Sequence, residues 1–211
     1  GSMAGSVAKV GAGIAVGLGT AAVGAGVVIA NMTDDFNKSL NGLAAATGAT
    51  DEKMEKLGGT IKSIYAQNFG ENMEDVANSI ATVKQQMGDI SDKELEEVTK
   101  GALILRDTFE FDVSESMRAV NSLTKQFGIS SEKAFDLLAK GAQEGLNSNG
   151  DMMDLFWEYS VQFKELGFSA EEMFNTFKVG AENGAFNLDI LADGLKETNI
   201  LSKDNSDKSL K

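Results

Sequence analysis

The stretch Gly128-Ile-Ser-Ser-Glu-Lys-Ala-Phe-Asp-Leu-Leu138 contains the signals that decide the fold. Gly128 suits the left-handed position just after a helix C-terminus, where a side chain would clash. Ser130 can accept a hydrogen bond from the free N–H groups that begin a new helix, and Glu132 places a negative charge near the positive end of that helix. The stretch therefore predicts that one helix ends and another begins within a few residues.

The same signals recur three more times along the chain, as Gly48-Ala-Thr50-Asp-Glu, Gly88-Asp-Ile-Ser91-Asp and Gly167-Phe-Ser169-Ala-Glu. The four glycines thus follow one another at a nearly constant interval of about 40 residues, the length of a helix-pair repeat. Thr50 and the three serines are predicted N-caps, and Ser91 with Glu94 and Ser169 with Glu172 have the spacing of capping boxes. A match of this kind is common by chance, but four in register at a fixed period indicate a structural repeat.

Each interval also contains a second helix, because apolar residues recur there at spacings of three and four. These stripes are Met73, Val76, Ile80, Val83 and Met87; Val113, Met117, Val120, Leu123 and Phe127; Met152, Phe156, Tyr159, Phe163 and Leu166; and Leu188, Leu191 and Leu195. The first helices are expected to end alike, at Lys100-Gly-Ala102, Lys140-Gly-Ala142 and Val179-Gly-Ala181. A helix–turn–helix pair cannot bury its apolar face alone, so neighbouring pairs must stack. The sequence predicts an all-α protein of repeated helix pairs, arranged as an α-solenoid-like array or a compact bundle.

Residues 10–30 form an uncharged stretch that contains six glycines and six alanines. As a helix it would span roughly 32 Å, close to the hydrocarbon thickness of a bilayer. Its small residues Gly13, Gly17, Thr20 and Gly24 would share one helix face, which favours close approach of two helices. Packing within an oligomer, insertion into a membrane and a flexible Gly/Ala linker remain open. The predicted contact residues for self-association or membrane binding are Val10, Gly13, Ile14, Gly17, Leu18, Thr20, Gly24 and Val28.

These patterns predict four regions. Residues 1–3 are typical of a cloning remnant, and residues 4–31 form the Gly/Ala-rich hydrophobic segment, expected as a helix. Residues 32–200 form the helical repeat domain. Residues 201–211 are polar without periodicity, and we expect them to be a disordered tail.

Composition argues against catalysis. The 211 residues include neither His nor Cys, which excludes thiol chemistry, Cys/His zinc sites and Ser–His dyads. The 32 acidic residues against 19 basic ones give a net charge of −13, so no direct nucleic-acid recognition is expected. Most carboxylates lie at predicted helix starts or on outward faces, where they complement the helix dipole. We expect no enzyme activity, no catalytic residue, no cofactor and no metal, and we predict Trp157 as an exposed partner contact.

The order of these motifs resembles that of a known family. A Gly/Ala-rich lead-in runs into Phe36-Asn-Lys-Ser-Leu-Asn-Gly-Leu-Ala-Ala-Ala-Thr-Gly48, and the Gly128 stretch comes later. Asp151-Met-Met-Asp-Leu-Phe156 and Phe163-Lys-Glu-Leu-Gly-Phe-Ser-Ala-Glu-Glu-Met173 then follow. Over about residues 30–200 the chain resembles the core region of tail tape measure proteins of long-tailed bacteriophages.

This resemblance implies a structural ruler that lies in several copies along the lumen of the tail tube and sets tail length during assembly. It implies contacts with further copies of itself, the tail tube protein, the tail-assembly chaperones and the tail-tip or baseplate proteins. It also implies a location in the virion tail, in the host cytoplasm during assembly, and a role in genome delivery at the host membrane. Two alternatives from other classes are a membrane-active helical toxin and an α-solenoid adaptor.

Overall fold

The computed structural model describes residues 33–183 and 188–203, and the regular structure of these residues is helical throughout. The helices are α1 (Thr33–Thr47), α2 (Asp51–Ala66), α3 (Met73–Met87), α4 (Asp92–Phe109), α5 (Val113–Phe127), α6 (Ser131–Gln143), α7 (Met152–Glu165), α8 (Ala170–Glu182) and α9 (Leu188–Lys203). The prediction of an all-α protein built from helix pairs is confirmed. The hydrophobic segment and its eight predicted contact residues lie outside the described residues. The first three residues of the predicted tail, 201–203, are helical.

The four repeat glycines all have a positive φ, as the sequence predicts. Gly48, Gly88, Gly128 and Gly167 have φ angles of 61°, 75°, 68° and 90°. At Gly167 the helix end is a full Schellman motif, in which Gly167 N–H donates to the Lys164 carbonyl and Phe168 N–H donates to the Phe163 carbonyl, both at 3.0 Å. The Phe168 ring packs edge-on against Phe163 at 5.3 Å between centroids, which closes this turn on the core.

The predicted N-caps form at three of the four turns. The hydroxyl oxygens of Ser91, Ser130 and Ser169 each accept a hydrogen bond from a backbone N–H in the first turn of the next helix, at 3.2 Å. Ser169 and Glu172 close both hydrogen bonds of a capping box, whereas at Ser91 only the bond from Glu94 N–H forms. Thr50 has the extended backbone of an N-cap, but its side chain makes no capping hydrogen bond, so that prediction is wrong.

The expectation that the first helices end alike is wrong for α4. Gly101 lies in the middle of α4, which continues to Phe109 and ends at Glu110 in a left-handed conformation, φ 62°. A single glycine costs a helix only about 1 kcal/mol, and burial of the flanking Lys100 and Ala102 favours the helical backbone over a break. Gly141 and Gly180 do lie in the last turns of α6 and α8.

The described residues form two compact units, 33–117 and 118–203. In the first unit α1 packs on α3, α2 packs on α4, and α3 also contacts α2 and α4. Its core is mainly aliphatic and includes Leu43, Ile61, Ile64, Val76, Ile80, Val83 and Leu103. Second helices therefore pack on second helices and first helices on first helices, with α1 in the position of a second helix.

The unit 118–203 follows the same rule but has an aromatic core. Here α6 packs on α8, α7 packs on α9, and α8 contacts both α7 and α9. The ring of Phe177 lies edge-on to Phe156 at 5.5 Å and to Phe163 at 5.3 Å between centroids. These three side chains and Phe174 are fully buried, and for Phe156 and Phe163 the stripe of α7 predicts this burial.

Candidate interaction site

Trp157, the predicted partner contact, lies on the outer surface of α7 with 44% of its area exposed. One ring face is covered, because the Arg118 guanidinium lies over it at 4.7 Å from the ring centroid. This distance is within the range of a cation–π interaction, which is strongest for Trp. The structure thus provides an indole that is exposed on one side and held in orientation by α5 on the other.

Serine hydroxyls fix the backbone beneath this ring. Ser122 Oγ of α5 donates to the Trp157 carbonyl at 3.1 Å, and Ser160 Oγ donates to the same carbonyl at 3.3 Å. A Trp anchored in this way loses little conformational entropy when it binds a partner, which is one reason why Trp is frequent at interaction hot spots. The role of Trp157 as a contact residue remains a prediction.

The register of the repeat shows how unusual this position is. Met117 of α5 precedes Trp157 by one repeat interval and Ala77 of α3 precedes it by two, and both are buried. Val161 follows Ala81 by the same two intervals, and it is 39% exposed whereas Ala81 is buried. The repeat therefore places small buried residues on α3 where α7 carries two large, partly exposed ones.

An ion pair recurs between successive second helices. Lys38 of α1 pairs with Glu74 of α3 at 3.0 Å, and two intervals further along the chain Arg118 pairs with Asp154 at 3.9 Å. Glu158 occupies the register position of Lys38 and Arg118, and it pairs with Lys196 of α9 at 3.7 Å with the charges reversed. Because these groups are largely exposed, the pairs favour a particular neighbour and register more than they add to stability.

Two further ionic clusters lie between helices of the unit 33–117. Arg106 Nη1 lies 2.6 Å from Asp75 Oδ1 and its Nε lies 2.8 Å from Asp107 Oδ1. The hydrogen bond to Asp75, together with that to Asp107, raises the pKa of Arg106 despite its partial burial.

The second cluster joins α2 to α4. Lys100 is only 3% exposed. Its ammonium lies 3.1 Å from Glu96 Oε1 and 3.2 Å from the Gln67 side-chain oxygen. Partial burial of Glu96 opposes its ionisation, but hydrogen bonds from Gln67 and Lys100 and the charge of Lys100 outweigh it, so the pKa of Glu96 is lowered. Both clusters tie neighbouring helices together.

A polar depression of about 360 Å³ adjoins this cluster on α2 and α4. It is lined by Lys56, Gly59, Thr60, Ser63, Asp92, Lys93 and Glu96. Asp92 and Lys93 at its edge are exposed, so water screens their charges. Among the described residues no group of three acidic, His or Cys side chains is placed to hold a metal ion.

Several exposed apolar side chains were not predicted from the sequence. They are Val161 on α7, Val179 on α8, and Ile190, Ile200 and Leu201 on α9. A comparison of the repeats in register would have indicated one of them, because Val179 stands at the position that the exposed Lys140 has in the preceding interval. No helix in the described part of the chain combines the length and apolar character needed to span a bilayer.

A protein of stacked helix pairs, whose described surface offers helix–helix contacts and an anchored Trp, belongs to the class of structural helical-repeat proteins. Comparison with known families assigns it further: residues 63–211 match the phage-related minor tail protein family, and the chain belongs to that family. This confirms the resemblance to a phage tail protein.

One relative gives a more specific likeness. A stretch of 61 residues is 39% identical to the probable tape measure protein of Streptomyces phage phiC31. That stretch is 28% of this chain and 8% of the relative. No solved structure matches the chain.

Proposed function

We propose that this chain acts as a tape measure, a structural ruler in the lumen of the tail tube that sets tail length during assembly. The observation that carries the proposal is the 39% identity to a probable tape measure protein, in a chain that belongs to the minor tail protein family. The repeat supports the proposal, because a chain of helix pairs joined at equivalent glycines can be made longer or shorter by whole repeats. The net charge of −13 suits a protein that must not bind the genome tightly.

The test is the in-frame deletion of residues 88–127, one whole interval of the repeat, in a phage that encodes this chain. If these residues lie in the tube as continuous helix, tails should shorten by about 60 Å at 1.5 Å per residue. Duplication of the same interval should lengthen them equally, and Lys164→Ala, at an exposed position of α7, serves as a control that keeps the chain length. Tails of unchanged length in both the deletion and the duplication, measured by electron microscopy, would contradict the ruler function.

We further propose that several copies associate through residues 10–30. The small residues Gly13, Gly17, Thr20 and Gly24 have the 4, 3, 4 spacing that lets parallel helices approach closely. Replacing Gly13 and Gly17 by Leu should convert an oligomer to monomers in sedimentation experiments, whereas Ala12→Leu is the control. An unchanged oligomer in the Gly variant would rule out packing through this face.

We also propose that residues 10–30 contact the host membrane during genome delivery. The test is liposome flotation of the full chain beside a chain that begins at Thr33. Flotation of the full chain alone supports membrane contact during infection. If neither chain floats, the segment has no membrane role, and its function is limited to packing between copies.

Trp157 is the proposed contact for a tail protein partner, for which the tail tube protein, the tail-assembly chaperones and the tail-tip proteins are the candidates. Trp157→Ala should weaken capture of one of these purified proteins about tenfold or more, as expected for a hot-spot Trp. Lys164→Ala, an exposed position on the same helix, is the matched control. Equal capture by both variants would exclude Trp157 from the interface.

A further inference from the structure

The outer surface of α8 and α9 carries exposed apolar side chains that no described helix covers. Val179 is 55% exposed, Ile190 is 72% exposed and Leu201 is 44% exposed. Ile190, Gly194, Glu197 and Leu201 are spaced by four, three and four residues, so they share one side of α9. We refer to Val179, Ile190, Glu197 and Leu201 as the α8–α9 face.

The preceding helix pair has residues at the equivalent positions of the repeat, and their contacts can be compared. Lys140 of α6 is the counterpart of Val179 in the preceding interval, and its ammonium lies 4.9 Å from the centroid of Phe174 on α8. Glu158 of α7 is in the same way the counterpart of Glu197, and it pairs with Lys196 of α9. In this preceding pair, the counterparts of Val179 and Glu197 are therefore residues that contact the next helix pair.

The unit 33–117 shows the same relation. Lys38 of α1 has the register position of Glu158, and it reaches forward to Glu74 of α3. In each of these cases the residue at this position pairs with an opposite charge on the following second helix. Glu197 is exposed, and no described cation lies within ion-pair distance of it.

We propose that the α8–α9 face binds a further helix pair of the same repeat type, with an apolar side chain against Val179 and a cationic side chain against Glu197. Continuity with the interface between the pairs α6–α7 and α8–α9 supports this docking, and so does charge complementarity at Glu197. Neither depends on the tape measure function. A second copy docking through its α1 side matches less well, because that side presents the exposed amides of Asn37 and Asn41 at the positions of Ala77 and Ala81.

The test extends the full chain at its C-terminus with a second copy of residues 166–203, which places Phe174 and Lys196 of the appended copy opposite Val179 and Glu197. Hydrogen–deuterium exchange in the original α9 should slow about tenfold or more, because the appended pair covers it. Lys196→Glu in the appended copy should speed hydrogen–deuterium exchange in the original α9 by about two- to fivefold, as expected when an exposed ion pair is lost. Adding Glu197→Lys in the original α9 should restore the ion pair with its charges reversed, and with it the slower exchange.

Two variants separate docking from folding. Ile190→Lys with Leu201→Lys should leave the unfolding temperature of the unextended chain unchanged, and should abolish the slowing in the extended chain. Ile200→Lys, an exposed residue on another side of α9, should leave the slowing intact. The proposal is overturned if the appended pair is not helical, if exchange in α9 is unchanged, or if the double variant unfolds α9 in the original chain. It is also overturned if the unextended chain forms dimers that the double variant dissociates, because the occupant is then a second copy.

Discussion

Helices α3 and α7 occupy equivalent positions in the repeat pattern, yet they meet their neighbours with different side chains. On α3, Ala77 and Ala81 are buried, and α1 packs closely against the helix. On α7, Trp157 and Val161 stand in their place and are partly exposed. The ion pairs Lys38–Glu74 and Arg118–Asp154 keep the same register in both cases.

The comparison shows that register and packing distance are set by different residues. Exposed ion pairs at the edge of the helix–helix contact favour a particular register of the two helices. The volume of the side chains between the helices limits how closely they approach. A repeat can therefore gain an exposed indole at one interval without changing its period. This explains why Trp157 is packed against Arg118 and is still 44% exposed.

The largest effect expected from this comparison separates two adjacent residues of α7. Phe156→Ala should lower the free energy of unfolding by about 3–5 kcal/mol, because the ring is fully buried and contacts Phe174 and Phe177. Trp157→Ala should cost only about 1 kcal/mol, since much of its area is already exposed. Urea unfolding of both variants measures the difference, and equal losses would show that Trp157 belongs to the core.

The reverse exchange should break the close packing on α3. Ala77→Trp places an indole where α7 accepts one, but between α1 and α3 there is no room for it, so we expect a loss of about 1–3 kcal/mol. Asn78→Trp, on the exposed neighbouring position, is the matched control and should be near neutral. An Ala77→Trp variant as stable as the wild type in thermal unfolding would contradict the packing described for this helix.

A third test uses carboxyl groups at equivalent positions on the first helices. Glu96 of α4 has a lowered pKa for the reasons given above, whereas partial burial, and then the charge of Glu132, raise the pKa of Asp136 at the same register position on α6. The stability that ionised Glu96 contributes is present above its unfolded pKa near 4.3 and is lost as pH falls through the lower folded value. Asp136 behaves oppositely: its contribution is present below about 3.9 and is lost as pH rises through the raised folded value.

At pH 7, Glu96→Gln should therefore reduce the free energy of unfolding, and Asp136→Asn should increase it. Both differences should shrink towards pH 3, as the wild-type carboxyls become protonated. Denaturant titrations between pH 3 and pH 7 measure them. Two variants with the same sign at pH 7 would contradict the opposite environments of these groups.

The smallest effect concerns the ion pairs that set the register. Double-mutant cycles on Lys38–Glu74 and Arg118–Asp154 should each give a coupling of about 0.2–1 kcal/mol, and less at high salt, because the groups are exposed. A coupling that persists in 1 M salt would indicate that the ion pair is shielded from water, and is not an exposed pair that favours one register of the helices.

The features that the sequence predicts best are those fixed by local backbone geometry. The glycine turns, three N-caps and the helices α3, α5 and α7 depend on neighbours within a few residues, and they are confirmed. The continuation of α4 through Gly101 and the missing cap at Thr50 depend on tertiary packing, which sequence patterns do not report. The covered ring face of Trp157 depends on Arg118, which lies on a different helix far away in the sequence, so composition alone could predict only that the indole is a candidate contact.

The glycine turns also bear on how such a gene can change. Because each turn centres on a glycine with a positive φ at a nearly constant interval, recombination between two of them inserts or removes whole helix pairs and keeps a glycine turn at every junction. A crossover at unmatched points would instead rotate each apolar stripe away from its neighbour. Unequal exchange between equivalent turns therefore allows length to evolve in discrete steps without loss of the fold.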